Sequence, residues 1–244
     1  MKDRLSIETL TNALIKPQVH TKGWTLCVGA GTSTPIFPTW LELMQDIIKD
    51  LYPNISDEIQ EEILSQYNLD ALIQAAYNIK DTNSEQFAEY LSSRLYTRIK
   101  NKVPDNQWQK FCKILTARHA NIYEDSYWKI FIKIRDEFFT QTTAYALAKF
   151  ITNDCVQDNR PNAILSFNAE PLLYALINSF IREKALGQSN KEPDMLDMMV
   201  KSIAAHDKHR IPYYFCHGAL LSYISQTEDT ILCTDSKLVF LENQ

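Results

Sequence analysis

The apolar positions of this 244-residue chain change their spacing twice. Near the start, Thr25–Val28 is a short apolar run that stops at Gly29, which predicts a buried strand. From Trp40 the period lengthens. Trp40, Leu43, Met44, Ile47, Ile48 and Leu51 recur at three- and four-residue intervals, the stripe of an amphipathic helix. Thr39 and Glu42 stand ahead of it at capping-box spacing, and Pro53 ends it. Helical periodicity then runs on with almost no glycine from Ile55 to Ile151. Ile59, Ile63 and Leu64 mark one helix. Leu69, Leu72, Ile73, Ala76 and Tyr77 mark the next, with Asp70 as a helix-start acid. Phe87, Leu91, Leu95 and Ile99 mark a third, and further helices fall between Trp108 and Leu115, Tyr127 and Phe139, and Thr142 and Ile151.

After this block the strand pattern returns. Ala163–Phe167 reads as a strand, and Pro171 suits the first turn of a helix over Leu172–Arg182. Leu186–Asp194 reads as a surface loop between helices. Pro212–Cys216 reads as a strand ending at His217-Gly218, and Thr230–Cys233 and Lys237–Leu241 as two further short strands. A helical stretch of about 90 residues between strands is too long for a simple crossover. The expectation is an α/β fold: a parallel sheet flanked by helices in a single domain spanning residues 1–244, with a helical insertion subdomain at about residues 55–151.

Composition narrows the function classes. The formal charge of −5 argues against duplex nucleic acid as a direct partner. The N-terminal residues lack the apolar stretch of a signal peptide, and no run of 18 or more apolar residues occurs, so no membrane span is expected. The five cysteines, Cys27, Cys112, Cys155, Cys216 and Cys233, are odd in number and include no C-x-x-C pair. That reads as reduced, cytoplasmic thiols serving as small core side chains, and not as a zinc ribbon. His206 and His209 stand three apart on an expected helix, but no third ligand accompanies them, so no metal site is expected.

Glycine scarcity points to one loop. There are five glycines, and two of them, Gly29 and Gly31, directly follow the first strand. Glycine placed so sparingly belongs where other residues do not fit. Gly29, Gly31, Asn168, His217 and Gly218 all fall at the carboxyl ends of expected strands, where open α/β sheets bind ligands. Gly29-Ala30-Gly31 would let backbone N–H groups approach a pyrophosphate, with Thr32 and Ser33 adding hydroxyl donors. Thr34 interrupts the G-x-G-x-x-G pattern of dehydrogenases.

Three segments together carry a family resemblance. Gly29-Ala30-Gly31-Thr32-Ser33 resembles the Gly-Ala-Gly-x-Ser opening of sirtuin-fold proteins. Ser166-Phe167-Asn168-Ala169-Glu170 is similar to their Thr-x-Asn-x-Asp segment, and Cys216-His217-Gly218 to their His-Gly segment, in the same order. Pro38-Thr39-Trp40 resembles the Pro-x-Trp of bacterial sirtuin-like antiphage-defence proteins. The resemblance implies a Rossmann-like domain that binds NAD as substrate and breaks its nicotinamide–ribose bond. Asn168 would hold the ribose and place a water, and His217 would act as general base. Gly29, Ala30, Gly31, Thr32 and Ser33 would cradle the phosphates, with Ser166, Glu170 and Gly218 completing the pocket. Ser166 keeps the family's hydroxyl, while Glu170 lengthens the family's carboxylate arm. The acid-arginine segment and the four zinc cysteines of the deacylases are absent, so the resemblance favours NAD hydrolysis over protein deacylation. It also implies an effector in abortive infection that assembles as a homo-oligomer or with a partner defence protein or further domain.

The residue types suit that chemistry. Breaking a C–N glycosidic bond builds positive charge on the ribose, which a carboxylate such as Glu170 can stabilise. A neutral imidazole can accept a proton from water near pH 7, and an amide can orient two oxygens without adding charge. Plainer roles stand beside these: His217 as a strand-end histidine, Asn168 as the N-cap of the following helix, Ser166 as a small strand residue and Trp40 as a core anchor. A module that binds NAD or ADP-ribose without turnover is the alternative function. The chain ends three residues after Leu241, where sirtuin-like domains usually continue, so a larger parent protein or a completing partner subunit is expected.

Overall fold

A computed structural model of the chain describes residues 24–117, 124–153, 160–186, 196–199, 210–216 and 220. β1 (Thr25–Val28) leads through a single 3-10 turn (Ala30–Thr32) to a run of helices. These are α1 (Trp40–Leu51), α2 (Asp57–Gln66), α3 (Leu69–Lys80), α4 (Ser84–Lys100), α5 (Asp105–Leu115), α6 (Asp125–Ile134) and α7 (Thr143–Ile151). A π-helical turn, Arg135–Phe139, continues α6. Then come β2 (Ala163–Ser166), α8 (Leu172–Ala185), β3 (Leu196–Met199) and β4 (Ile211–Phe215).

The four strands form one parallel sheet in the order β1-β2-β4-β3. The α/β class is therefore present. In the doubly wound order the first strand is central, whereas among the described strands β1 lies at an edge. β3 falls where the sequence predicted a helix following the surface loop. Its Leu-Asp-Met-Met lacks the β-branched residues that mark strands.

Local chemistry sets the helix limits. Thr39 accepts from the Glu42 N–H, and the Glu42 carboxylate accepts from the Thr39 N–H at 2.7 Å, so both halves of the expected capping box form. Ser56, Asn68, Asn83 and Thr142 cap α2, α3, α4 and α7 in the same way from the side chain. The predicted stripes are largely buried: Phe87, Leu91, Leu95 and Ile99 line the inner face of α4. The exception is α2, where Ile59 is 51% exposed and the buried residue is Gln60, whose amide donates to the Gln45 carbonyl at 2.7 Å.

The core runs without a break from Val28 through the helices to Leu220, so the helical block shares the hydrophobic interior of the sheet. α8 sits at the middle of it, with eleven of its fourteen residues buried. On one side Tyr174 meets the rings of Tyr213 and Phe215 on β4. On the other, α8 packs against α5, α6 and α7. Buried Arg135 fastens this side, donating to Glu183 at 2.7 Å while its guanidinium lies 4.2 Å from the Phe180 ring centroid.

The sheet's two faces differ. Val28, Ile164, Ser166 and Tyr213 are buried toward α8. On the other face Thr25 and Cys27 are exposed and Leu165 and Tyr214 half-buried. β1 is thus not the fully buried strand its run of apolar residues predicted. It lies at the sheet edge and alternates, as a strand covered on one face must. Nor do all the cysteines fill the core. Cys112 is buried, but Cys27 and Cys216 are exposed. Cys155, Cys233 and the strands expected at Thr230–Cys233 and Lys237–Leu241 lie outside the described residues. Among the described residues no helix is long and apolar enough to cross a membrane.

Because both capping bonds of α1 are made, Thr39→Ala is expected to lower the unfolding free energy by about 1 kcal/mol. Urea denaturation measures this loss.

Candidate functional site

Parallel pairing brings the carboxyl ends of β1, β2 and β4 to one edge of the sheet. Val28 is in register with Ser166, and Ser166 with Phe215, so the segments that leave the three strands start level with one another. The Phe167 N–H donates to the Val28 carbonyl at 2.8 Å, and the Cys216 N–H to the Ser166 carbonyl at 2.8 Å. The sheet ladder thus continues one step past its strands.

The glycine loop turns back over this edge. The Thr32 N–H donates to the Gly29 carbonyl at 2.9 Å, and the Ser33 N–H to the Ala30 carbonyl at 3.2 Å. Gly29 has extended backbone. Neither Gly29 nor Gly31 adopts positive φ, and a Cβ built on either meets no described residue within 4 Å. Scarcity of glycine suggested positions where no other residue fits. Within the described chain, however, other residues do fit, and the missing side chains leave open space beside the loop.

Below the loop is a closed polar cluster. The Ser33 hydroxyl donates to Glu170 Oε1 in a short hydrogen bond. The Asn168 amide nitrogen donates to the same oxygen at 2.9 Å, to Thr32 Oγ1 at 3.0 Å and toward Ser33 Oγ at 3.3 Å. Glu170 Oε2 accepts the Leu172 N–H at 2.5 Å. Glu170, and not Asn168, therefore satisfies the first turn of α8. Ser33, Ser166, Asn168 and Glu170 are all buried.

Burial dominates the electrostatics of Glu170. It pushes the carboxyl up from its ordinary 4.5 to about 7, against the opposing hydrogen bonds from Ser33, Leu172 and Asn168. Partial burial, with Cys27 nearby, likewise raises the Cys216 thiol, so it remains protonated near pH 7 and is not an activated nucleophile.

A narrow recess opens between the loop and the helices, lined by Ala30, Pro38, Trp40, Leu43, Leu95, Asn168, Ala169 and Glu170. Its free space is that of roughly one water molecule. Asn168 Oδ1 is buried without a hydrogen-bond partner. The site thus holds a buried acceptor to which nothing donates a hydrogen bond. The hydroxyl protons expected to contact phosphate are already engaged: Thr32 donates to the Gly29 carbonyl at 2.8 Å and Ser33 to Glu170.

The structure brings together Gly29, Ala30, Gly31, Thr32, Ser33, Ser166, Asn168 and Glu170. His217 and Gly218 lie outside the described residues, as do His206 and His209. The residues flanking 217–219 are tied to the site: Cys216 to Ser166, and Leu220, whose N–H donates to the Ala169 carbonyl at 2.7 Å. The Tyr96 hydroxyl holds the Leu220 carbonyl at 3.0 Å, so α4 also braces this edge. Trp40 combines two roles, packing on the core while lining the recess. Sequence reasoning did not single out Tyr213, whose hydroxyl is buried without a hydrogen-bond partner; a tyrosine inside an apolar strand carries no distinguishing sequence signal. Among the described residues no group of three or more histidine, cysteine or acidic side chains could hold a metal.

The chain matches no protein-family model, no curated protein and no solved structure.

The Glu170 carboxyl gives stability a pH slope. Its pKa is higher folded than unfolded, so the folded state binds the extra proton. Its contribution is complete below about pH 4.5 and is lost as pH rises through about 7. The loss amounts to roughly 3 kcal/mol. Glu170→Gln is expected to flatten this part of the profile, as followed by denaturant midpoints from pH 4.5 to 8.5.

Proposed function

We propose that this chain binds NAD across the glycine loop in a Rossmann-like, sirtuin-type site and hydrolyses its nicotinamide–ribose bond. The observation that carries this reading is the pairing of open space beside Gly29 and Gly31 with the unpartnered Asn168 Oδ1. Missing Cβ atoms admit a bulky group against the backbone, and a buried acceptor answers a hydroxyl donor. A nucleotide offers both, as phosphates and ribose hydroxyls. Because the Thr32 and Ser33 hydroxyl protons are engaged within the chain, the phosphates would rest on loop backbone.

In the reaction the oxygen of a water bonds to ribose C1′ as the C1′–N bond breaks. The bonding pair leaves with nicotinamide, and one proton is released. Asn168 Oδ1 orients a ribose hydroxyl or the water, and His217, assigned from the His-Gly resemblance, takes the proton. Glu170 holds Asn168 in place from below and stabilises charge on the ribose when ionised. Entry of a dinucleotide requires the recess to widen between Trp40 and Leu95, which makes ligand-coupled opening part of this reading. The same resemblance supports a role as an antiphage effector that acts in an assembly.

Non-catalytic binding of NAD or ADP-ribose is the second reading. It is favoured by the way the Asn168 amide nitrogen and the Ser33 hydroxyl are already engaged with Glu170 within the chain.

Purified protein, tested alone and in any assembly it forms, is expected to convert NAD to ADP-ribose and nicotinamide on a chromatographic time course. Asn168→Ala should lower turnover at least ~100-fold with the fold intact. Calorimetric binding without product would favour the second reading, and the absence of both would refute the two together. Gly31→Ala provides a separate check. It should leave stability unchanged or raise it by about 0.4–1 kcal/mol, since no strain attends the new methyl group. NAD binding should nevertheless be lost. Undiminished NAD affinity in that variant would remove the loop from the site.

A further inference from the structure

Glu170 is held by donors. Its Oε1 accepts the Ser33 hydroxyl and the Asn168 amide nitrogen, the latter at 2.9 Å, and its Oε2 accepts the Leu172 N–H at 2.5 Å. An ionised carboxylate accepts on both oxygens and donates nothing, so this cage is complementary to the charged form. A protonated Glu170 does not fit it unchanged. Oε2 faces a backbone N–H, which cannot turn round to accept. On Oε1 a proton meets two donors, the Ser33 O–H and the Asn168 N–H, and one of them must give way.

Asn168 is the group that gains by turning. Its Oδ1 is buried without a partner. Its Nδ2 has Glu170 Oε1 at 2.9 Å and the Thr32 and Ser33 hydroxyl oxygens at 3.0 Å and 3.3 Å. A half-turn of the amide exchanges oxygen for nitrogen with almost no change of shape. It brings Oδ1 to the Glu170 proton, with the Thr32 hydroxyl as a second donor, and puts Nδ2 where Oδ1 was. Turning Ser33 instead would leave Asn168 Oδ1 unanswered and take the Ser33 proton from its acceptor.

We propose that Glu170 sets which hydrogen-bonding group the recess offers: ionised, it holds Asn168 with Oδ1 outward as an acceptor, and on taking a proton it turns Asn168 to present Nδ2 as a donor. A guest that donates a hydrogen bond then binds with release of the Glu170 proton, and a guest that accepts one binds with its uptake. Both side chains line the recess, so the exchange happens at the guest's own surface. The surroundings allow it at neutral pH, since burial brings the carboxyl to about 7. The loop after β1 presents Thr32 and Ser33 to this pair, α1 presents Trp40 and Leu43, and α4 presents Leu95, none of them charged. Tyr213 on β4 is the titratable neighbour of Glu170, and burial keeps its phenol protonated and neutral. The switch holds whatever ligand the site takes, so it stands apart from the dinucleotide reading.

The test is a titration of the isotope-labelled full chain without ligand, from pH 5 to 9, following the Glu170 carboxyl carbon and the Asn168 side-chain amide by NMR. The two signals are expected to move together with one midpoint at about 7. The Asn168 Nδ2 protons should show Overhauser contacts to the methyl groups of Leu43 and Leu95 at pH 5 and lose them at pH 9. Glu170→Gln supplies a second arm. Its new amide must keep an oxygen on the Leu172 N–H, so its nitrogen faces Asn168, and the Leu43 and Leu95 contacts should be present at every pH. An Asn168 that keeps one set of contacts while Glu170 titrates would overturn the proposal, and so would a carboxyl that stays ionised throughout. An Asn168 titration that survives in Glu170→Gln would belong to another group and overturn it as well. If that variant did not fold, coincidence or divergence of the two midpoints in the parent would decide.

Discussion

The buried carboxyl of Glu170 ties the loop after β1 to the segment that leads from β2 into α8. It takes the Ser33 hydroxyl from the loop after β1, the Asn168 amide from the turn after β2 and the Leu172 N–H at the start of α8. Desolvation opposes its charge and the three donors favour it, which leaves it near the balance point at about 7. The carboxyl thus accepts the first N–H of α8 while serving as the floor of the candidate site. The length of glutamate is well matched to this double duty: one oxygen turns forward to the α8 backbone and the other crosses to the β1 loop.

Sheet topology makes that junction possible. Parallel strands send all their exits to one edge, and β2 stands between β1 and β4, so whatever follows β2 faces the exits of both neighbours. The turn that carries Asn168 and Glu170 holds this central position. α8 then drops beneath the sheet, where Tyr174 locks onto Tyr213 and Phe215. α7 approaches both α8 and the turn at Ala30–Thr32, so the helical block is pressed against the loop side of the sheet.

Much of this was legible in the sequence because it rests on local rules. The Thr39–Glu42 box, the helical stripes and the strands before Gly29 and Asn168 all depend on neighbouring residues, and all appear. What failed to read depends on tertiary contacts. β3 is recruited by pairing with β4 in spite of its methionines. Cys27 faces outward because it stands on the face of the sheet opposite α8. Glu170 caps α8 because Asn168 is drawn 136 positions back along the chain to Thr32.

The site combines rigidity on one side with incompleteness on the other. The donors of Ser33, Thr32 and Asn168 are engaged within the chain, which fixes the loop before any guest arrives. Asn168 Oδ1 is left over, together with the empty space beside Gly29 and Gly31. A structural turn would gain nothing from either feature. An unanswered buried acceptor costs free energy, and glycine in an unstrained loop enlarges the entropy of the unfolded chain. Both costs fall on the same few residues at one edge of the sheet; a group that donates a hydrogen bond to Asn168 Oδ1 would relieve the first, while the second leaves the backbone beside it bare.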